Sequence, residues 1–331
     1  MVQNSALVSE NTLRHPLSVA PIITIEHLVK RYKKAEQNAV DDISFSIAPG
    51  TLFALLGPNG SGKTTIISIL TTTLAATAGS IQIAGYDLAT QALQIRRQIG
   101  IVFQKPSLDL NLTAEENVRL HATLYGLYPY RPTYRLMPRA YRSQIASLAA
   151  MLGIEEQLFK PVKTFSGGMK RKLEILRSLL HQPAVLFLDE PTTGLDAESR
   201  RGLWDHLRQV RTASNTTIFL TTHYLEEAEG ADQLLILNHG HIVSTGTPQE
   251  IKADLTRPML LIDAHDRAHL RAELSQAGAP FTEEKFFALP IEGQQVQQLL
   301  QQITTPLSLV QTHSPSLEDA YLHLIKQEQG E

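Results

Sequence analysis

The sequence runs to 331 residues, 43% of them hydrophobic and 19% charged. That is enough to bury one large core with an appendage, and too apolar for disorder over most of its length. A net charge of −3 removes the global positive field that would hold nucleic acid or an acidic membrane surface, and the absence of cysteine excludes disulfides, thiolate metal sites and cysteine nucleophiles.

Residues 1–20 are mixed and aperiodic, with Glu10 and Arg14 among polar neighbours, and read as a flexible lead-in without a signal core. No stretch approaches the roughly 18–20 continuous apolar residues that a spanning helix needs, so any membrane part is expected to come from a partner. Strand patterns begin at Ile22–Glu26 and Asp41–Ile47, the second with period-two alternation. After the turn Ala48-Pro49-Gly50, the apolar run Thr51–Leu56 suits a strand buried on both faces.

The strongest local signal follows at once: Gly57-Pro58-Asn59-Gly60-Ser61-Gly62-Lys63-Thr64-Thr65. It fits G-x-x-x-x-G-K-[ST] between a buried strand and a helix start, the place where a phosphate loop works. Its glycines let successive N–H groups converge on an anion, and the helix adds its positive end. Lys63 is expected to reach the β and γ phosphates of ATP, with the Thr64 hydroxyl offered to Mg²⁺. A chance glycine-rich turn is the bland alternative, and the flanking strand and helix argue against it.

From about Leu112 to Leu180 the pattern is mainly helical, interrupted by Tyr128-Pro129-Tyr130-Arg131-Pro132-Thr133-Tyr134. This tract, with Arg135, Arg139 and Arg142 after it, reads either as a contact to lipid headgroups or the membrane partner, or as a solvated insertion. Further on, Ser166-Gly167-Gly168-Met169 opens a helix and offers a second nest of N–H groups. Ser166 also suits the plain role of an N-cap. Strands return at Ala184–Asp189, Thr216–Thr221 and Gln233–Asn238, with helices between them, which predicts a mostly parallel sheet. Asp189 and Glu190 stand at the end of an apolar strand, where ligands of parallel sheets gather. Asp189 is expected to hold Mg²⁺ through water, and Glu190 to orient and activate the attacking water.

Past Gly246-Thr247-Pro248 the character changes. Strands are expected at Met259–Ala264, Phe286–Pro290 and Leu307–His313, helices at Arg267–Ala277 and Gly293–Ile303, and a last helix from about Pro315. This makes a small α+β domain over 249–331. His239-Gly240-His241 reads as a turn between strands. The i, i+4 pair His265 and His269 lacks a third ligand.

The tract Thr164–Arg171 resembles the signature motif of ABC-type ATPases. Four further matches fall in that family's order: Tyr32 after Lys30-Arg31, Gln104 after Val102-Phe103, Thr193-Gly194-Leu195-Asp196, and His223 after Thr221-Thr222. The resemblance covers about residues 21–248. It implies an α/β P-loop NTPase of ABC type: a mostly parallel sheet with flanking helices, an antiparallel β subdomain, and an inserted helical signature subdomain at about 105–180. It implies Tyr32 under the adenine, Gln104 touching Mg²⁺ and water on a loop facing the membrane subunit, and Asp196 coupling two sites across a dimer. His223 is then a switch at the γ-phosphate, and Ser166, Gly167, Gly168 and Met169 grip the ATP of the opposite subunit.

Implied partners are a second nucleotide-binding subunit, as a homodimer, and an integral membrane permease, with no nucleic acid. The implied location is the cytoplasmic face of the membrane. Signature motifs commonly carry Gln where Met169 stands. Met there, and the phrase Pro315–Tyr321, resemble the branch of antibiotic-resistance and nodulation-type exporters, whose cargo would be drug-like, lipid-like or polysaccharide-like. Import stays open on this ground, as does the role of the C-terminal domain. A soluble ABC ATPase acting on ribosomes or DNA is a rival; a single cassette, no long coiled-coil insertion and no basic character speak against it. A non-hydrolysing regulatory nucleotide binder is a third reading, opposed by the presence of Glu190 and His223.

Overall fold

The computed structural model describes residues 20–255, 259–283, 285–290, 295–313, 316–321 and 324. The expected lead-in falls almost wholly outside them, as does Pro315, where the last helix was to begin.

The chain opens with β1 (Ile23–Lys30) and β2 (Val40–Ile47), an antiparallel pair. Next come β3 (Leu52–Leu56) and the helix α1 (Lys63–Leu70), with the phosphate loop between them. Strands β4 (Ala78–Ile83) and β5 (Tyr86–Asp87) return to the first pair and complete an antiparallel sheet in the order β2-β1-β4-β5. Helix α2 (Ala92–Gln98) then leads into β6 (Ile99–Val102).

The helical portion holds α3 (Ala114–Leu124), α4 (Arg139–Met151) and α5 (Gly167–Leu179). Helix α3 starts on a capping box: Thr113 accepts from the Glu116 amide, and the Glu116 carboxylate accepts from the Thr113 amide at 2.8 Å. The tyrosine tract bridges α3 and α4. Tyr128 and Tyr134 meet the buried Tyr141 ring edge-on at 5.4 and 6.3 Å, so these tyrosines are packing residues. Arg131, Arg135 and Arg139 stay exposed.

Strand β7 (Val185–Asp189), α6 (Ala197–Ser214), β8 (Thr217–Thr222), the short α7 (Leu225–Ala228), β9 (Gln233–Asn238) and β10 (His241–Gly246) finish the central sheet, in the order β10-β9-β3-β8-β7-β6. All its pairings are parallel except β10 with β9, which are joined through the turn His239-Gly240. Every residue of β3, β7 and β8 is buried, as expected of apolar strands covered on both faces. One core cluster joins the helical portion to the sheet; a second, with Phe53, Phe187 and Phe219 at its centre, lies under α1 and the antiparallel sheet.

Helix α8 (Pro248–Leu255) follows, and its Ile251 belongs to the first core cluster. Then come β11 (Met259–Ala264), α9 (Arg267–Gln276), β12 (Thr282–Glu283), β13 (Phe287–Pro290), α10 (Gln295–Gln302) and β14 (Leu307–His313). Their antiparallel sheet, ordered β12-β13-β11-β14, has its own small core around Leu260, Ile262, Leu270 and Phe287. The expected strands and helices are all present here, with β12 in addition. Residues 317–321 are helical, and Leu317 and Ala320 join Ile251 in the cassette's core cluster rather than the small one.

Candidate functional site

The parallel strands present their carboxyl ends at one edge, and the loops leaving them carry the candidate residues. Beyond β3 lies the phosphate loop. Lys63 is 4% exposed and its ammonium donates to the carbonyls of Gly57 at 2.7 Å and Pro58 at 2.9 Å. Burial lowers its pKa, against the pull of the Glu190 and Asp189 carboxylates. The Ser61 hydroxyl is buried without a hydrogen-bond partner among the described residues. Thr64 is exposed in the first turn of α1, while Asn59 and Gly60 form the exposed lip of the loop. Tyr32 stands over the same helix, 45% exposed, its hydroxyl 3.1 Å from Thr65 Oγ1 and the Lys30 ammonium over its ring at 5.5 Å from the centroid. The exposed part of the ring is what a stacked base would use.

Beyond β7 comes the acid pair. Asp189 is 6% exposed and accepts from the Thr221 hydroxyl at 2.6 Å. Burial pushes its pKa up, opposed first by that hydrogen bond. Glu190 holds a left-handed backbone (φ 44°), unusual for a non-glycine residue, with its amide donating to Thr221 Oγ1 at 3.0 Å. Its carboxylate gathers the other loops. Gln104, one turn past β6, donates from Nε2 to Glu190 Oε2 at 2.9 Å, and Thr193 donates to the same oxygen at 3.2 Å. His223, just past β8, places Nδ1 3.4 Å from Glu190 Oε1. Gln104, Glu190 and His223, spread over 120 positions of sequence, thus meet at one carboxylate.

Ser166 caps α5, accepting from the Met169 amide at 3.2 Å, and Asp196 caps α6, accepting from the Ser199 amide at 2.8 Å. The Ser199 amide and hydroxyl lower the Asp196 pKa. These two helix starts touch: a side-chain carbon on Gly168 would lie 3.0 Å from the Ser199 hydroxyl.

Sequence reasoning named Thr221, Thr193 and Arg171 only within longer motifs and gave none of them a role. Arg171 is 5% exposed and donates to the carbonyls of Pro191 at 2.8 Å, Phe103 at 2.6 Å and Gln104 at 3.3 Å, and to Glu174 at 3.2 Å. Glu174 in turn accepts from the Ser107 amide at 2.9 Å. A cation near the start of a helix opposes the helix dipole, and that misfit was the one available signal that Arg171 has a specific partner. Of the paired histidines His265 and His269, His269 approaches Glu273 at 3.8 Å.

The family model for ABC transporters matches residues 40–193, spanning the phosphate loop through the acid pair. The chain is 33% identical to a daunorubicin resistance ATP-binding protein of Streptomyces coeruleorubidus, over 91% of its own length and 95% of the relative's. The chain belongs to the ABC transporter ATP-binding family. This ABC ATPase is also 40% identical to a Nod factor export ATP-binding protein of Ralstonia nicotianae, over 70% of its length and 68% of the relative's. A solved ATP-binding subunit of an ABC transporter shares 31% identity and a TM-score of 0.60, covering 70% of the chain and 92% of that structure. A dimeric ATP-binding cassette in a post-hydrolysis state, bound to ADP and Pi, shares 25% identity and a TM-score of 0.59, covering 68% and 98%. The match to these folds makes the ABC ATPase a nucleotide-binding protein. Among the described residues no helix is long and apolar enough to cross a membrane.

Proposed function

We propose that this ABC ATPase powers an exporter as one of two nucleotide-binding subunits. It would dimerise head to tail and drive a separate membrane permease from the cytoplasmic face. The convergence of Gln104, Thr193 and His223 on the Glu190 carboxylate carries this reading, because it surrounds one base with groups from three loops at the phosphate-loop edge.

ATP enters with its triphosphate on the amides of Gly57–Thr65 and its base on the Tyr32 face. Lys63 exchanges its carbonyl partners for β and γ oxygens. The donors suited to Mg²⁺ are hard oxygens, the Thr64 hydroxyl, the Asp189 carboxylate and the Gln104 amide oxygen. Among the described residues they are not part of any cage of three or more His, Asp or Glu side chains, so they fit a cation that arrives with the phosphates. Bound there, Mg²⁺ would neutralise charge developing on the phosphate oxygens. Glu190 takes the proton of the attacking water, Gln104 orients that water, and His223 Nδ1 or Nε2 holds the γ-phosphate.

The signature residues Ser166, Gly167, Gly168 and Met169 of one subunit would close on the γ-phosphate held by the other, with Asp196 at the seam. Hydrolysis removes the shared anion and the dimer opens, moving the permease through the Gln104 loop. The export direction rests on the Nod factor export relative, and the match to the daunorubicin resistance relative, over 91% of the chain, reaches into the C-terminal domain. Residues 21–248 would then be the cassette, and 249–331 a C-terminal domain anchored on it by Leu317 and Ala320.

The test is ATP hydrolysis by wild type and Glu190→Gln, with size-exclusion chromatography in ATP and Mg²⁺. The amide keeps the shape and loses the base, so turnover should fall at least about 100-fold while an ATP-dependent dimer accumulates. A Glu190→Gln variant that hydrolyses at the wild-type rate and stays monomeric would refute both the base and the sandwich.

A further inference from the structure

The loop bearing Asp196 and the strand end bearing His223 are joined by a side chain that neither motif contains. Glu227 lies in α7 and is 3% exposed. Its Oε1 accepts a short hydrogen bond from the Thr192 hydroxyl, and its Oε2 accepts from the Thr222 hydroxyl at 2.7 Å. Thr192 immediately precedes Thr193-Gly194-Leu195-Asp196, and Thr222 immediately precedes His223. The Thr222 hydroxyl also accepts from the Tyr224 amide at 2.9 Å, so it grips both sides of His223. Arg200, one turn into α6 beyond Asp196, brings Nε to 3.9 Å from Glu227 Oε1 and lays its guanidinium over the Tyr224 ring at 4.5 Å. The two helices that bracket the seam are thereby tied through the same carboxylate.

We propose that Glu227 is a positioning residue that makes the His223 strand end and the Thr192–Asp196 loop move as one unit. A buried carboxylate is costly unless its oxygens are satisfied. Here each oxygen is committed to a different loop, so neither loop can shift without breaking a bond to a group that has no solvent to fall back on. Burial pushes the Glu227 pKa up, opposed first by the hydrogen bonds from Thr192 and Thr222. A residue that only filled space at this point, beside the core residue Ala228, would need no acceptors. The inference rests on the proposed roles of His223 and Asp196. If His223 senses the γ-phosphate of its own site and Asp196 borders the other, Glu227 links them behind the site, separately from the Glu190 carboxylate that His223 and Thr193 also approach.

The experiment compares full-length wild type, Glu227→Gln, Thr192→Val, Thr222→Val and the double valine variant. It measures kcat and KM for ATP, equilibrium binding of a non-hydrolysable ATP analogue, and Tm, with His223→Ala as comparator. Gln keeps the volume of Glu227 and loses one strong acceptor. Its kcat should fall about tenfold, with analogue affinity within about twofold of wild type. Each single valine variant should show the same loss, and the double variant should be no slower than the slower single, because both cut the same link.

Wild-type kcat in Glu227→Gln, or losses that multiply in the double valine variant, would overturn the proposal. So would losses that appear as weaker analogue binding with kcat unchanged. Should Glu227→Gln fail to fold, the threonine cycle decides alone. Wild-type kcat in His223→Ala would sink the reading of the switch instead, and the threonine cycle would still report whether Glu227 links the loops.

Discussion

Arg171 offers the sharpest test of how the site is held together. Its guanidinium sits 3.2 Å from the Glu174 carboxylate in the interior, and the two side chains are 6% and 2% exposed. Truncating it to Met leaves Glu174 as an unpaired buried charge, which costs about 3–5 kcal/mol. The carbonyls of Phe103, Gln104 and Pro191 lose their donor at the same time. Replacing both charges in Arg171→Met/Glu174→Met removes the unpaired charge. It still leaves the Ser107 amide without its acceptor, a residual cost of about 1–3 kcal/mol.

Urea unfolding at 25 °C should therefore rank the double variant above the single one by about 2 kcal/mol. Activity should not follow stability. Arg171 fixes the backbone carbonyl of Gln104 and that of Pro191, next to Glu190, so kcat measured well below the unfolding transition should stay low in both variants. A single variant that loses less than about 1 kcal/mol would refute the buried-pair argument. A double variant that recovers kcat along with stability would show that Arg171 only packs.

Two other outcomes follow from local geometry. His121 is half-buried beside Tyr125, ring centroids 4.2 Å apart, and its pKa is lowered from 6.5 to about 3, by desolvation first and then by Arg177 and His181. The folded form holds it neutral while the unfolded chain takes up a proton below pH 6.5, so stability is full above 6.5 and is lost as pH falls toward 3. The slope is at most about 1.4 kcal/mol per pH unit. Urea midpoints at pH 7 and pH 5 should show this limb flattened in His121→Phe, which keeps the stack; an unchanged slope would place the titration elsewhere. In the phosphate loop, Gly62 has φ 111° and a side-chain carbon there would stand 2.6 Å from the Ala39 carbonyl, whereas at Gly60 (φ 84°) nothing lies within 4 Å. Gly62→Ala should therefore abolish ATP binding in an equilibrium assay, and Gly60→Ala should only weaken it, by the strain of about 1–2 kcal/mol that a left-handed residue carries.

What the sequence reveals here depends on the range over which the physics acts. The phosphate loop is a local device: glycine spacing, strand before and helix after all lie within one window, so Gly57–Thr65 could be read directly. The strands β7, β8 and β9 were equally legible, because unbroken apolar runs leave few alternatives. Gln104, Asp196 and His223 carry no local signature and were placed by resemblance to a family pattern. The roles of Thr221, Arg171 and Glu227 escaped both routes. Thr221 reads as one more strand residue until β7 and β8 pair in parallel and bring it 2.6 Å from Asp189. Arg171 acquires its partners only when residues 103, 104 and 191 fold around it. The C-terminal segment is a milder case. Leu317 and Ala320 at helical spacing announce a buried face, but only the fold shows that this face is turned to the cassette's core and not to the adjacent sheet.

The substitution of Met169 for the more usual Gln also becomes intelligible once the helix start is seen. What this position gives the helix start is a backbone amide, which donates to the Ser166 hydroxyl in the capping bond at 3.2 Å. The side chain is half-buried and packs against the core cluster, as does Leu195 of the Asp196 loop. Gly168, by contrast, is tightly packed: a side-chain carbon there would stand 3.0–3.1 Å from the Ser199 side chain, in the first turn that Asp196 caps, so Ser199 would have to give by a few tenths of an ångström. The motif therefore divides by physics. Positions whose contribution is close backbone approach are constrained by the neighbouring helix, while position 169 contributes a side chain to packing and tolerates an apolar residue of similar length. On that reasoning the Ser166 capping bond survives with Met169 in place, and the exchange of Gln for Met alters the packing beneath the helix start rather than its backbone.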